Sequence, residues 1–515
     1  MANQNSYTST IVTMARGAGI VFFGIFLSRV IGYILRILLK HFLGLEMFGL
    51  LWSSFNVIEM VTFFCLLGIP AALSRYIAFY KARNHPRRVG GFIVASFLYL
   101  LPIICIVTVL LYWQTDYIAT TLFGKPDIKP FLKILNFGIF PLALMYFFGS
   151  IFRGFKLMPQ MVFTQQLSRN IFMFACLGVF MLLGVGKESA VWAMLLGLVL
   201  TALAAILLFF RHVDKKYLVN IDMAGVFVEL FSYSWPLVFT TLFWNMSGRI
   251  DVFFLTIYES ESNVGVYNAI LPLAQFVPVV MQSFTSILMP IFSGIFANYE
   301  KNALYTMQRA GSKWIIAFTV PIFLLLIVFS DDILLLLLGQ DTVIGATPLC
   351  IASVGYFINA AFGVFNIILN AAGKTKLTLL DTSVYVAANI LLDVLLIPRY
   401  GLVGAAVAGA LSMLIMNMLA VWQNYRLYHL KPVTGQIMRL VLIGAVAAGA
   451  SFILKMAIPF HFDLLSIAVG SFLFILLYFI GLKKIRIFDE NDLAIIAAVE
   501  NRIGKKLTLL RRMVE

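Results

Sequence analysis

Long apolar runs separated by short polar stretches are the dominant pattern of this chain. A helix needs about 20 apolar residues to cross a bilayer, and the chain contains fourteen such stretches. We therefore predict an all-α polytopic membrane protein with fourteen transmembrane helices. The predicted helices lie near residues 11–39, 47–72, 90–112, 132–152, 160–183, 190–210, 231–257, 264–292, 314–338, 348–370, 377–397, 401–421, 437–458 and 464–482.

A repeat of small residues divides the helices into two sets. Gly32 and Gly49 recur 216 residues later as Gly248 and Gly265. Because six helices separate the two copies, both copies have the same orientation in the membrane, which predicts a parallel repeat. The predicted domains are an N-lobe of six helices, a C-lobe of six helices, two extra helices and a cytoplasmic amphipathic tail, at residues 1–212, 225–425, 434–482 and 483–515.

The distribution of basic residues predicts the topology. The chain is 62% hydrophobic and 12% charged, with a formal net charge of +15. With the N-terminus placed in the cytoplasm, 27 of the 38 Lys and Arg residues lie on the cytoplasmic side and seven lie outside. Since Lys and Arg accumulate in cytoplasmic loops, we predict a cell-membrane protein with both termini cytoplasmic. The positive charge therefore indicates contact with anionic lipid rather than with nucleic acid.

Four arginines remain inside the predicted helices: Arg29, Arg36, Arg169 and Arg249. A charge at bilayer depth costs roughly 3 kcal/mol or more, so it faces a partner or a wet cavity. We predict that these arginines line a cationic cavity for an anionic cargo. Glu59 is predicted either to pair with Arg29 or Arg36, or to carry a proton.

Two further sets of polar residues lie within apolar helices. Gln275, Gln282 and Asn366 predict either a central polar pathway or ordinary hydrogen bonds between helices. Asp251 and Asp393 lie at a similar depth, roughly 8–10 Å below the outer surface. With Asn389 they offer oxygen ligands for a hard monovalent cation, although carboxylates at that depth would also reach water.

Enzymatic function finds little support in the sequence. No predicted outside loop is long enough for a catalytic domain, and no glycine-rich phosphate loop occurs. The four cysteines lie in apolar segments without metal-ligand spacing, and the five histidines are scattered. We predict a protein that is not an enzyme and has no cofactor.

Several short motifs carry a family resemblance that spans nearly the whole chain. They include Ser28-Arg29-Val30-Ile31-Gly32, Arg249-Ile250-Asp251, and the stretch from Ile397 through Gly401 to Ala406. With these motifs the chain resembles the multidrug/oligosaccharidyl-lipid/polysaccharide exporter superfamily. Within it, the chain is most similar to the polysaccharide transporters, which are flippases for lipid-linked oligosaccharides.

The resemblance implies a V-shaped pair of six-helix lobes that works by alternating access, as in the drug-exporting branch. It also implies that Arg29, which falls on the motif arginine, binds the cargo diphosphate; Arg36 lies one residue from a second such arginine. Asp251, Asn389 and Asp393 match a sodium site of the similar lipid II flippases. The drug exporters often carry an acidic residue in helix 1, and helix 1 here carries none.

We therefore expect a flippase that moves a polyprenyl-(di)phosphate-linked oligosaccharide from the cytoplasmic to the outer leaflet, coupled to Na+, H+ or the membrane potential. The alternatives are a lipid II flippase and a cation-coupled multidrug exporter of the same fold; a membrane-embedded glycan-transferring enzyme is disfavoured by the short outside loops. The expected partners are membrane lipids and glycan polymerases or glycosyltransferases, and the expected state is a monomer.

Overall fold

A computed structural model describes residues 2–484, except 233, 235–237, 239–247, 298–300, 433–434 and 458–462. Every regular element in these residues is helical. The α-helices are α1 (Ala2–Leu43), α2 (Leu45–Leu66), α3 (Ile69–Ala82), α4 (Pro86–Tyr117), α5 (Lys129–Leu135), α6 (Ile139–Gly154), α7 (Met158–Val162), α8 (Ser168–Leu182), α9 (Ser189–His212), α10 (Ile250–Tyr258), α11 (Glu261–Ala274), α12 (Val279–Ala297), α13 (Lys301–Val328), α14 (Ser330–Leu338), α15 (Ala346–Ala371), α16 (Thr375–Tyr428), α17 (Gly435–Ala457) and α18 (Asp463–Lys484).

The described helices are those of a multi-pass membrane protein. Within the described ranges, nine are long and apolar enough to cross a membrane, or ten if one bent pair is a single span. The count of fourteen and the division into two lobes stay predictions. Much of predicted helix 7 (231–257), and nearly all of the predicted cytoplasmic tail (483–515), lie outside the described residues.

Two predicted helices are broken in the structure. Predicted helix 8 consists of α11 and α12, which meet at a bend of 48°. Pro278 lies in the break, and a proline lacks the N–H that a continuous helix requires. Predicted helix 5 consists of α7, a π-helical turn at Phe163–Leu167, and α8. Such turns insert one residue into a helix and re-aim the side chains that follow.

Two other boundaries differ from the prediction. Predicted helices 11 and 12 form the single element α16, which is kinked at Gly401 (φ 55°, ψ −129°). A residue with a Cβ is strained at that φ, so glycine permits the kink. We call residues 375–400 of this element α16a and residues 402–428 α16b. Predicted helix 9 begins earlier, at Lys301, and is interrupted at Phe329.

The described residues form two compact units. Residues Ile20–Asn268 form one unit, and the described parts of Met1–Gly19 and Ala269–Glu515 form the other. In the first, here called the 20–268 unit, almost every residue of α2 is buried. Gly49 of α2 lies against the Glu261 carbonyl of α11, and Gly265 of α11 lies against the Leu45 carbonyl of α2.

The second unit, here called the 269–484 unit, has two apolar centres. One packs Trp314 of α13 with Leu440 of α17 and Tyr478 of α18. The other packs Phe292 of α12 with Phe365 of α15 and residues of α16b. The two helices that follow the predicted lobes are thus attached through α13.

Candidate functional site

A buried carboxylate lies in the middle of α2. Glu59 is 8% exposed, and an ionised carboxylate at that burial requires cationic partners. Its Oε1 accepts a hydrogen bond from Arg169 Nη1 at 3.1 Å. Its Oε2 accepts from Arg249 Nη2 at 3.0 Å and from Arg249 Nε at 3.1 Å. We call Glu59, Arg169 and Arg249 the charge cluster.

Local backbone structure places Arg169 beside Glu59. Arg169 is the second residue of α8, which follows the π-helical turn directly. Its guanidinium group lies 5.3 Å from the ring centroid of Phe55, which is one turn before Glu59 on α2. A guanidinium over an aromatic face gains a cation–π contact, so α2 holds Arg169 by both charge and ring.

Arg249 is placed by the start of another helix. It is the residue immediately before α10, and the preceding Gly248 has a φ of 78°. The Arg249 carbonyl accepts a hydrogen bond from Asn56 Nδ2 at 3.1 Å. Its guanidinium lies 5.2 Å from the ring centroid of Phe63. Residues of α2 therefore hold both the backbone and the side chain of Arg249.

The charge cluster has the properties of an anion-binding site. Two guanidinium cations around one carboxylate leave a net charge of +1. The Arg169 and Arg249 side chains are 30% and 26% exposed, whereas the Glu59 side chain is 11% exposed. An incoming anion would therefore meet the arginines before the carboxylate. Arginine donors bind phosphate groups with charge-assisted, often bidentate, hydrogen bonds.

The motif in α1 packs against α8. Ser28 Oγ donates to the Gln166 carbonyl at 2.5 Å, and Asn170 Nδ2 donates to the Ser28 carbonyl at 3.1 Å. Gly32 lies against the Asn170 amide, where a Cβ would come within 3.0 Å of Asn170 Nδ2. Arg29, which follows Ser28, is half-buried. The Ser and Gly of the motif thus fix the helix contact that orients Arg29.

Arg36 serves a different contact. Its Cζ lies 3.5 Å from the ring centroid of Trp52, and its Nη1 donates to the Asn268 carbonyl at 2.7 Å. The guanidinium therefore stacks on α2 and also binds the backbone of α11. Arg36 thus joins α2 to α11.

The predicted amides of the pathway lie in the 269–484 unit. Gln275 occupies the break between α11 and α12, and its Nε2 donates to Tyr356 Oη at 3.4 Å. Gln282 is exposed and Asn366 is half-buried. At a helix break, backbone N–H and C=O groups lose their helical partners and need polar neighbours. An amide at position 275 therefore has a structural reason.

The three predicted cation ligands are buried. Asp251, 3% exposed, accepts a hydrogen bond from Tyr267 Oη at 2.9 Å in the 20–268 unit. Asn389 and Asp393 are fully buried one turn apart on α16a in the 269–484 unit. Carboxylate and amide oxygens are the ligands that a hard cation takes, and the cation site stays a prediction.

Sequence reasoning named the members of the charge cluster but not their pairing. It offered Arg29 or Arg36 as partners of Glu59, whereas the structure pairs Glu59 with Arg169 and Arg249. It also missed Asp381, which is fully buried on α16a. The signal for Asp381 was available, because it is an acidic residue inside a predicted apolar helix.

The fold and the family profiles define the class of the protein. Its helical fold is that of the multidrug/oligosaccharidyl-lipid/polysaccharide exporter superfamily, whose members are membrane transporters and flippases. A family profile described as MatE matches residues 236–395. A solved structure of the lipid II flippase MurJ, in an inward closed conformation, superimposes with a TM-score of 0.71 over 90% of this chain and 97% of that chain, at 15% identity.

The chain belongs to the polysaccharide biosynthesis protein family, whose profile matches residues 14–296. An uncharacterized membrane protein of Methanocaldococcus jannaschii, MJ1068, is 23% identical over 91% of this chain and 95% of its own length. The probable low-salt glycan biosynthesis flippase Agl15 of Haloferax volcanii is 24% identical over 57% of this chain and 61% of its own length. Membership of the superfamily and of the polysaccharide branch, predicted from the motifs, is thus confirmed.

Proposed function

We propose that the protein is a flippase that moves a polyprenyl-(di)phosphate-linked oligosaccharide from the cytoplasmic to the outer leaflet by alternating access. The observation that carries this proposal is the charge cluster, in which Glu59 holds two partly exposed arginines inside an apolar helix bundle. The similarity to Agl15, named as a probable glycan biosynthesis flippase, supports the same class of cargo.

The chemistry of the cluster fits a lipid diphosphate. The (di)phosphate is the one strongly anionic part of such a cargo, while the glycan is polar and the lipid is apolar. Arg169 and Arg249 would bind the phosphate oxygens, with Glu59 as the internal anion that the phosphate must displace. A cargo that replaces an existing anion is released again more readily than one that binds bare arginines, because Glu59 competes for the same donors.

Coupling is proposed to come from a cation or from the membrane potential. Asp251, Asn389 and Asp393 would supply oxygen ligands to a monovalent cation such as Na+. An inside-negative potential also favours outward movement of an anion, by about 2.3 kcal/mol per charge for 100 mV. The potential would thus favour the outward step of the loaded protein, and the cation would drive the empty protein back to the conformation that opens to the cytoplasm.

The proposal is tested with Arg249→Gln, which makes the charge cluster neutral. Hydrogen bonds to charged groups contribute about 1.5–3 kcal/mol, so translocation of a fluorescent polyprenyl-diphosphate sugar in proteoliposomes should fall roughly 10- to 100-fold. Arg211→Gln, at an exposed position, is the matched control and should leave transport unchanged. Arg29→Gln should also reduce transport if Arg29 contacts the diphosphate.

Arg249→Lys separates the effect of charge from that of hydrogen-bond geometry, because lysine keeps the cation but loses the bidentate geometry. It should retain partial transport. Full transport by Arg249→Gln, in protein that is folded and inserted normally, would refute the proposal.

A cation-coupled multidrug exporter is the second candidate, because the MatE profile matches residues 236–395. It predicts that a cationic drug binds near Glu59 and that diphosphate lipids do not compete. Direct competition between pyrophosphate and a cationic dye for the purified protein distinguishes the two functions.

A further inference from the structure

A buried acid outside the charge cluster joins the two halves of α16. Asp381 of α16a is fully buried, and its Oδ1 accepts a hydrogen bond from Gln423 Nε2 of α16b at 2.5 Å. Gln423 is itself 4% exposed. The pair therefore lies in a dry contact between the two segments that Gly401 separates.

Two oxygen atoms of this pair lack a hydrogen-bond donor among the described residues. Asp381 Oδ2 and Gln423 Oε1 are both buried, and neither receives a hydrogen bond from any residue that the structure describes. If Asp381 were ionised, both atoms would be acceptors and no donor would serve them. A proton on Asp381 Oδ2 turns one acceptor into a donor and offers it to the neighbouring amide oxygen, as in a carboxylic acid–amide pair.

The charged residues of the surrounding helices do not replace that proton. No basic side chain among the described residues lies within 4 Å of Asp381, and α15 contributes no charged residue. Lys374 and Lys376, at the start of α16, and Arg426, near its end, are exposed. The cations of α13 whose side chains the structure describes are Arg309, half-buried over the Tyr305 ring, and Lys313, which is buried. A carboxylate buried without a cation is much less stable than the neutral acid.

We propose that Asp381 is a proton-binding site, protonated in the conformation seen here and deprotonated when α16a and α16b separate. Protonation closes the Asp381–Gln423 contact with two hydrogen bonds. When water enters between the segments, the acid gives its proton to water and the carboxylate becomes hydrated. The site thus makes the geometry of α16 depend on proton concentration.

The location of Asp381 suggests which side supplies the proton. It lies six residues after Thr375, or about 9 Å along the helix axis, and Gln423 lies five residues before the end of α16. Under the predicted topology both ends of α16 face the cytoplasm. Three further contacts join α16 to α15, from Thr378 to Asn370, from Asn424 to the Phe365 carbonyl and from Asn417 to Asn359. Opening this contact would therefore move α16 against α15 on the cytoplasmic side.

The first test measures protonation without transport. Thermal unfolding of the purified full chain is recorded from pH 5 to pH 8 for the wild type and for Asp381→Asn, whose amide mimics the protonated acid. An acid that is protonated when folded and ionised when unfolded loses its stabilising effect as the pH rises. The wild type should therefore lose several degrees in Tm relative to Asp381→Asn as the pH rises.

Asp331→Asn is the matched control, because Asp331 is exposed in the same unit, and its Tm should follow the wild type at every pH. A constant difference between the wild type and Asp381→Asn across the pH range would overturn the proposal. If Asp381→Asn does not fold, infrared spectroscopy of the wild type should show a protonated carboxyl band at pH 8. That band should shift in Gln423→Leu, and its absence from the wild type would likewise overturn the proposal.

The second test addresses coupling and rests on the proposed flippase function. In proteoliposomes, translocation of the fluorescent polyprenyl-diphosphate sugar should respond to a pH gradient in the wild type and not in Asp381→Asn. An equal response in both would overturn the role in coupling. If the wild type moves no such lipid, the proposed function fails, while the unfolding measurement still decides whether Asp381 binds a proton.

Discussion

At the scale of single residues, Glu59 is the residue on which the candidate site depends. It bonds to arginines from two different helices, α8 and the start of α10, and each carboxylate oxygen has its own arginine. Removal of one partner from a buried ion pair leaves an uncompensated charge, which is costly. The carboxylate therefore both stabilises the unit and limits how strongly the arginines bind another anion.

Substitution of Glu59→Gln is expected to separate these two effects. Loss of the carboxylate should lower the free energy of unfolding by about 1–3 kcal/mol, since both arginines are partly exposed and retain some hydration. The same substitution should strengthen the binding of pyrophosphate several-fold, because no internal anion competes. Thermal unfolding and isothermal calorimetry measure the two quantities.

Glu188→Gln is the control, because Glu188 is exposed and no change in either quantity is expected. Weaker pyrophosphate binding by Glu59→Gln would contradict competition between Glu59 and the anion.

At the scale of elements, a crossing of two helices repeats the internal symmetry of the sequence. Gly49 and Leu45 of α2 correspond to Gly265 and Glu261 of α11, at the common offset of 216 residues. Each glycine lies against the carbonyl of the other helix: Gly49 against Glu261, and Gly265 against Leu45. The crossing is thus reciprocal, and neither position has room for a Cβ.

Gly49→Ala and Gly265→Ala should each push α2 and α11 apart. Overpacking of this kind costs about 1–3 kcal/mol, so both variants should unfold at lower temperature than the wild type. Gly178→Ala in α8 is the matched control, because a Cβ at Gly178 meets nothing within 4 Å. There alanine should be neutral or stabilising, since it favours the helix over glycine. Equal Tm values for all three variants would contradict the close crossing.

The segment between α9 and residue 226 forms a second ordered contact between elements. Gly90 and Gly91 of α4 lie against the carbonyls of Tyr217 and Asp222, and the Asp222 N–H donates to the Arg87 carbonyl at 3.2 Å. Arg88 lies 3.4 Å from Glu229 and 3.8 Å from Asp222. The connection between the predicted lobes is therefore docked on the cytoplasmic end of α4 under the predicted topology.

Arg88→Gln should loosen this docked segment without unfolding the unit. Partly exposed ion pairs contribute about 0–1 kcal/mol each, so the effect on Tm should be small. Hydrogen exchange of residues 213–225 should become measurably faster. Arg83→Gln, at an exposed position on the ring of Phe79, should leave that exchange unchanged. Unchanged exchange in Arg88→Gln would show that the backbone contacts alone hold the segment.

At the scale of the whole molecule, the proposed flippase carries net negative charge outward. An inside-negative potential should therefore accelerate translocation of the diphosphate lipid, and an inside-positive potential should slow it. Proteoliposomes with a valinomycin-induced potassium potential of either sign measure this response, and vesicles with equal potassium on both sides are the control. A rate independent of potential would contradict net outward movement of negative charge.

The sequence by itself determined the class of protein and most of the residues of the candidate site. Apolar runs of membrane-spanning length predict helices with little ambiguity, because a bilayer excludes unpaired backbone groups. The same background makes Arg169, Arg249 and Glu59 conspicuous, since charge inside such runs is rare. Superfamily membership followed from short motifs such as Ser28-Arg29-Val30-Ile31-Gly32.

Only the tertiary structure decided which of these residues meet. Sequence spacing relates residues on one helix, but Glu59, Arg169 and Arg249 come from three elements, and their pairing depends on the π-helical turn before α8 and on Gly248. Likewise, the stacking of Arg36 on Trp52 and the contact of Asp381 with Gln423 join residues that no periodicity connects. Contacts across helices depend on how those helices pack, and that packing is a property of the folded chain.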